Sequence, residues 1–171
     1  MKKFFWGMVI GIFLPPIGGY IFIISGGMPV AAKGVPLPME RFIAKLAIDR
    51  AMKDDITRRS PLSSDEMNLL AGAKIYVKHC DVCHGLSANQ PTFISKGLFP
   101  RPPQFFEPNQ GLTEDPIGEV FWSVKNGMRL TGMPGFDESL SETEIWQVSQ
   151  FLLSADKLPP SAQQVLTSEK L

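Results

Sequence analysis

The stretch "KHCDVCHGLS", residues 78–87, holds both cysteines and both histidines of this 171-residue chain. Two thiols three residues apart make a poor structural staple, because closing so short a loop removes little chain entropy. Zinc would need four ligands, and Cys80, Cys83, His79 and His84 fall within six consecutive residues, too short a run to wrap a tetrahedron, with no second cluster downstream. A redox dithiol calls for a strand before the motif and a helix after it. Here a helical pattern precedes Cys80, and a Gly- and Pro-rich loop follows. The spacing C-x-x-C-H fits covalent haem attachment: two thiols that can add across two vinyl groups, and an adjacent imidazole below the iron.

A haem held by His84 needs a sixth ligand and a helical wrapper. His79 lies on the same side of the attachment loop as His84 and cannot reach the other haem face. The remaining soft donor is a methionine thioether. Among eight methionines, Met133 sits in "LTGMPGF" (130–136), a Gly-flanked, Pro-stiffened turn where backbone can approach a porphyrin. Met128 follows Gly127 at a helix end and reads as packing.

Three helices are expected around this site. "SSDEMNLLAGAKIYVKHC" (63–80) shows capping-box spacing at Ser63 and Glu66 and apolar positions at three- and four-residue steps through Tyr76. "TEDPIGEVFWSVKNG" (113–127) has Asp115 as cap, Pro116 at the first position and Gly127 just past the end. "SLSETEIWQVSQFLLSA" (139–155) is capped by Ser141 and Glu144, and Pro159 and Pro160 are read as its stop. Residues 85–112, including "GLFPRPPQFFEPNQG" (97–111), read as loop forming the walls of a site. Phe105, Phe106, Phe121, Trp122 and Phe136 are candidates for an apolar pocket. Arg101 and Arg129 are candidate partners for haem carboxylates.

In this order, "CDVCHG" (80–85), the Pro-rich loop, "VKNGMRLTGMPGF" (124–136) and "LSETEIWQVSQFLL" (140–153) resemble class I monohaem cytochromes c, most of all bacterial membrane-anchored ones and cytochrome subunits of respiratory complexes. The resemblance covers about residues 63–158. It implies an all-α fold, one haem c attached through Cys80 and Cys83, and His84 and Met133 as axial ligands. It further implies that Gly72 and Tyr76 on the first helix cross Val148 and Phe151 on the last. A proline carbonyl from Pro100, Pro102 or Pro103 would accept the histidine Nδ1–H. With both axial positions filled, only an electron can come and go, and a Met ligand raises the potential.

Upstream, "FFWGMVIGIFLPPIGGYIFII" (4–24) carries no charge and spans roughly 30 Å as a helix, the hydrocarbon thickness of a bilayer. A secretory leader has a shorter apolar region of about 7–15 residues, although Val30 and Ala32 would suit a signal peptidase. An uncleaved anchor is the expectation. Gly7, Gly11 and Gly19 form a thin stripe that another membrane helix could approach. "MERFIAKLAIDRAMKDDITRR" (39–59) reads as an amphipathic helix lying on the membrane surface or on the haem domain. The expected division is therefore an anchor at 1–27, a juxtamembrane linker at 28–62 and a cytochrome domain at 63–171, with its core at 63–158 and a short C-terminal tail.

Residues 1–62 carry nine Lys/Arg against four Asp/Glu, and residues 63–171 eight against thirteen. No basic, aromatic-interleaved face exists for nucleic acid. The resemblance places haem attachment outside the bacterial inner membrane, with the haem domain in the periplasm, and Lys2 and Lys3 inside agree with it. The expected function is single-electron transfer by a membrane-tethered carrier that is not itself an enzyme and meets respiratory redox partners. The alternatives are a fixed haem subunit of an oxidase, quinol oxidoreductase or dehydrogenase complex, and a haem enzyme or gas sensor with a labile Met133.

Overall fold

The computed structural model describes residues 2–86, 91–106 and 111–168. Residues 87–90 and 107–110 of the expected loop, and 169–171 of the expected tail, lie outside the described residues. The helices are α1 (Lys2–Ile24), α2 (Glu40–Ala51), α3 (Glu66–His79), α4 (Asp81–His84), α5 (Ile117–Asn126), α6 (Glu142–Leu153) and α7 (Pro160–Ser168). A 3₁₀ turn covers Ser95–Gly97, and the described residues contain no strand. The protein is all-α. It divides into two compact units, Met1–Ala44 and Lys45–Leu171.

In the first unit, α1 is a continuous 23-residue helix that runs through Pro15 and Pro16. Transmembrane helices tolerate such prolines. None of its described side chains is buried, and by length and composition it suffices to cross a membrane, as a signal sequence also would.

The second unit is built on α3 and α6. Asp65 caps α3 by accepting from the Asn68 amide at 2.9 Å, while Ser63 Oγ donates to the Asp65 carboxylate. The cap thus falls two residues after the Ser63 expected from spacing, because an aspartate competes well for the same role. Leu69, Gly72, Ala73 and Tyr76 follow on one buried face. The expected capping box at Ser141 and Glu144 opens α6, which buries Ile145, Val148, Phe151 and Leu152. Where the helices cross, a Cβ on Gly72 would run into the Gln147 carbonyl and lie 2.7 Å from Phe151 Cβ. Tyr76 and Phe151 meet beside it, ring centroids 5.4 Å apart. Burial of each large side chain here stabilises the fold by about 1.5–3 kcal/mol.

On the other side of α6, Phe121 of α5 stacks on Trp146 at 3.9 Å and 20°. Pro116 is the N-cap of α5 rather than its first residue, and no side chain, Asp115 included, caps that end. Pro159 and Pro160 do not stop α6, which ends at Leu153 six residues earlier. Pro160 instead opens α7, where its missing N–H and preset φ suit a first turn. Ala162 and Leu166 of α7 are buried, and Ser161 Oγ donates to Glu66 at 2.7 Å.

Residues 45–62 belong to this second unit. Met52 is 3 % exposed, its sulfur 4.0 Å from Ser123 Oγ. The Asp55 carbonyl lies so close to Gly118 that a side chain there would strike it. Arg58 bonds Asp55 at 3.1 Å and Glu142 at 2.9 Å, with its guanidinium 4.6 Å above the Phe121 ring. Gln150 donates to Ser60 Oγ and to the Leu62 carbonyl at 3.0 and 2.9 Å. These half-exposed ion pairs contribute little individually. The buried methionine, the backbone contact and the hydrogen bonds of the buried Gln150 hold the segment.

The crossing yields a stability prediction. Gly72→Val should destabilise the second unit by about 1–3 kcal/mol through overpacking, read as a fall of several degrees in thermal midpoint. An unchanged midpoint would mean that the helices can separate at no cost.

Candidate functional site

Helix α3 delivers the C-x-x-C-H motif. Its C-cap is Cys80, which also starts the single turn of α4. The Cys83 and His84 amides both donate to the Cys80 carbonyl, at 3.1 and 2.9 Å. That turn gathers Cys80, Cys83 and His84 on the wall of one cavity of about 300 Å³. Gly85 then takes a φ of +72°, which reverses the chain at the helix end. Tyr76 Oη donates to the Gly85 carbonyl at 2.6 Å and ties this turn back to α3. Burial pushes the Tyr76 phenol well above its ordinary pKa, so it remains a neutral donor.

His84 is 8 % exposed and its ring stacks on Phe105, centroids 4.3 Å apart. Its Nδ1 is 2.8 Å from the Pro103 carbonyl oxygen. A carbonyl only accepts, so Nδ1 carries the hydrogen, and the neutral ring keeps its lone pair on Nε2. Burial lowers the His84 pKa, and the bond to Pro103 opposes that shift only in part. Of the three prolines that were candidates, Pro103 is the acceptor. Gln104 Nε2 donates to the Pro102 and Cys83 carbonyls at 3.1 and 3.2 Å, clamping this loop to the motif. Burial also pushes the Cys80 thiol up to about 12, with Asp81 and Cys83 adding to it.

The α5–α6 connection forms another wall. Gly127 ends α5 with a φ of +67°, and a Cβ there would strike the backbone of Pro134 and Gly135. The Met128 amide donates to the Met133 carbonyl at 3.1 Å. Thr131 Oγ1 donates to the Met128 carbonyl at 2.7 Å and accepts from the Met133 amide at 3.1 Å. Met133 is thus held in a closed turn, and both Met128 and Met133 line the cavity. Most of the remaining lining is apolar, contributed by prolines, Phe105, Phe136, Val120 and Val124.

The structure brings Cys80, Cys83, His84, Met133 and Arg101 to one cavity and leaves Trp122 and Arg129 outside its lining. Glu119, Val120, Ser123 and Val124 share the α5 face that lines it. At 100° per residue Trp122 falls on the other side of the helix. Arg129 is exposed. Phe121 goes to the Trp146 stack, and Phe106 meets Tyr76 edge-on at 5.6 Å. Sequence reading missed Glu119 and Asp115, which also line the cavity. Their four-residue spacing on the α5 approach was the available signal, but it does not say which face is turned inward.

An imidazole with a free Nε2, thioethers on the neighbouring wall, two adjacent thiols and an apolar lining are a donor set suited to haem c. Fold and cavity together define a class I c-type cytochrome domain. Residues 68–152 match the family described as cytochrome c oxidase, cbb3-type, subunit III. Two curated relatives are quinohemoprotein alcohol dehydrogenases of Pseudomonas putida. ADH IIB is 29% identical over 98 residues, covering 56% of this chain and 12% of the relative. ADH-IIG is 29% identical over 104 residues, covering 60% and 13%. The chain therefore spans only about an eighth of the length of these relatives. The domain is an electron-transfer module that works through haem.

Because Tyr76 Oη ties α3 to the Gly85 carbonyl, Tyr76→Phe would leave a buried acceptor unpaired. A loss of about 1–3 kcal/mol is expected, measured by denaturation of the haem-loaded protein. A change smaller than the experimental error would show that water replaces the phenol.

Proposed function

We propose that this protein is a membrane-tethered cytochrome c that carries single electrons through one haem c, with α1 as anchor and the haem domain in the periplasm of a bacterial inner membrane. Cys80 and Cys83 would hold the group by thioether bonds, and His84 Nε2 and Met133 Sδ would ligate its iron. In this reading residues 1–27 are the anchor, 28–62 the juxtamembrane segment and 63–171 the cytochrome domain. When bound, the group supplies an iron that accepts and releases one electron.

The observation that carries the reading is His84. Its Nδ1 is engaged by the Pro103 carbonyl, so Nε2 is the nitrogen left to ligate, in the cavity that Met133 also lines. The Pro103 bond fixes the ring plane and strengthens the imidazole as a donor. The turn closed by Thr131 orders the Met133 backbone before any ligation, which lowers the entropic cost of holding a thioether on the iron. Arg101 at the cavity lining offers a cation to the haem carboxylates. The apolar lining excludes water and favours the less charged, reduced state. With no open axial position the protein would not itself be an enzyme.

A second reading is a fixed haem subunit of a larger respiratory complex. The family description, which names an oxidase subunit, favours it, as does the occurrence of similar sequence within dehydrogenases. Co-purification of a stoichiometric membrane complex in mild detergent separates it from a free carrier.

Met133→Ala should abolish the weak far-red thioether-to-iron band of the ferric protein and lower the midpoint potential, while the reduced spectrum remains that of a c-type haem. Met128→Leu should leave both unchanged. Reversed behaviour of the two variants would transfer the ligand role to Met128. Rapid carbon monoxide binding by the reduced wild-type protein would favour the enzyme or sensor reading.

A further inference from the structure

Glu119 sits half-buried on the one α5 face that lines the haem cavity, next to Val120 and Val124. A carboxylate in such a wall is placed where the electron-transfer function gives it no obvious task. We propose that Glu119 is a redox-linked proton site, taking up one proton from solvent when an electron enters the domain and releasing it when the electron leaves. The inference rests on the proposed haem assignment and adds a proton to the electron that assignment already moves. The balance is one electron supplied by the donor protein and one proton supplied by water. The carboxylate becomes a carboxylic acid, and no other bond changes.

The physical basis is Coulomb interaction across a poorly screening medium. Two unit charges interact in inverse proportion to distance and effective dielectric constant, and an apolar cavity keeps the latter low. Reduction removes one positive charge from the cavity, so a nearby carboxylate holds its proton more tightly in the reduced state. By linkage, the same coupling makes the potential depend on pH over the interval between the two pKa values.

The surroundings of Glu119 place that interval. Burial pushes its pKa up, Asp115 one turn earlier and Asp49 of α2 push in the same direction, and Lys45 of α2 opposes them. Lys45 and Asp49 are themselves paired at 2.9 Å. The other ionisable side chains on the cavity lining are His79 and Arg101, apart from His84 and the two cysteines engaged in holding the haem. The carboxylate therefore titrates above the ordinary carboxylate range, where a periplasmic protein can meet it. The juxtamembrane helix thus contributes to the redox chemistry through charge: its Lys45 and Asp49 set where the proton site titrates.

The test is a spectroelectrochemical titration of the haem-loaded, full-length protein in detergent from about pH 4 to 8. The wild-type midpoint potential should fall as pH rises through the interval just above the usual carboxylate range. The steepest slope would be a tenfold change in the ferric-to-ferrous ratio per pH unit, about 59 mV. Glu119→Gln should lose that slope and show a higher potential at neutral pH, because a negative charge near the iron is gone. Lys45→Ala, on the surface, should move the interval to higher pH. A wild-type slope retained in Glu119→Gln overturns the inference, and a slope that instead vanishes in His79→Asn assigns the proton to His79. A protein that shows no reversible haem couple would defeat the haem assignment itself, an outcome distinct from a pH-independent couple.

Discussion

The contact on which the structure depends is the close crossing of α3 and α6 at Gly72. Only a residue without a side chain lets the Gln147 carbonyl and Phe151 approach there. That approach lets Tyr76 reach Phe151 on one side and the Gly85 carbonyl on the other. The C-x-x-C-H turn is the direct continuation of α3, so the angle at which α3 crosses α6 decides where Cys80, Cys83 and His84 are presented. A cavity at the end of α3 follows from a missing methyl group two turns earlier.

The cavity walls come from segments with little regular structure. Pro103, Gln104 and Phe105 lie outside any helix, yet they supply the histidine's hydrogen-bond acceptor, a clamp on the motif and a ring to stack on. The Met128–Met133 turn closes through one threonine. Such segments can wall a flat cofactor because prolines present carbonyls without donors of their own, leaving few buried N–H groups to satisfy. The segment at 45–62 extends the same principle outward. It joins the domain through the buried Met52, the backbone contact with Gly118 and the Gln150 hydrogen bonds, and it brings the Lys45–Asp49 pair within electrostatic range of the cavity wall. The amphipathic pattern of 39–59 left two surfaces open for it. Residues from Lys45 onward belong to the compact unit of the cytochrome domain.

Local chemistry was legible where one residue type has one strong use. The box at Ser141 and Glu144 and the glycine after α5 were read correctly because each depends on neighbours within four residues. Errors arose where local signals compete. Ser63 and Asp65 both cap helices well, and Asp65 took the role. Two prolines read as a stop serve as the start of α7, since proline is permitted in a first turn. Trp122 was assigned to the pocket by residue type, whereas the facing of α5 is decided by the Phe121–Trp146 stack.

By itself the sequence determined the helical class, the C-x-x-C-H spacing, the candidate methionines and the apolar N-terminal helix, because composition, spacing and periodicity act over a few residues. The choice of Pro103 among three prolines, the inclusion of Glu119 and Met128 in the cavity and the exclusion of Trp122 and Arg129 from it belong to tertiary structure. So does the docking of residues 45–62. Each of these depends on the angle at which helices distant in sequence pack together, and that angle is set by side-chain volumes at the crossings, which no local pattern encodes.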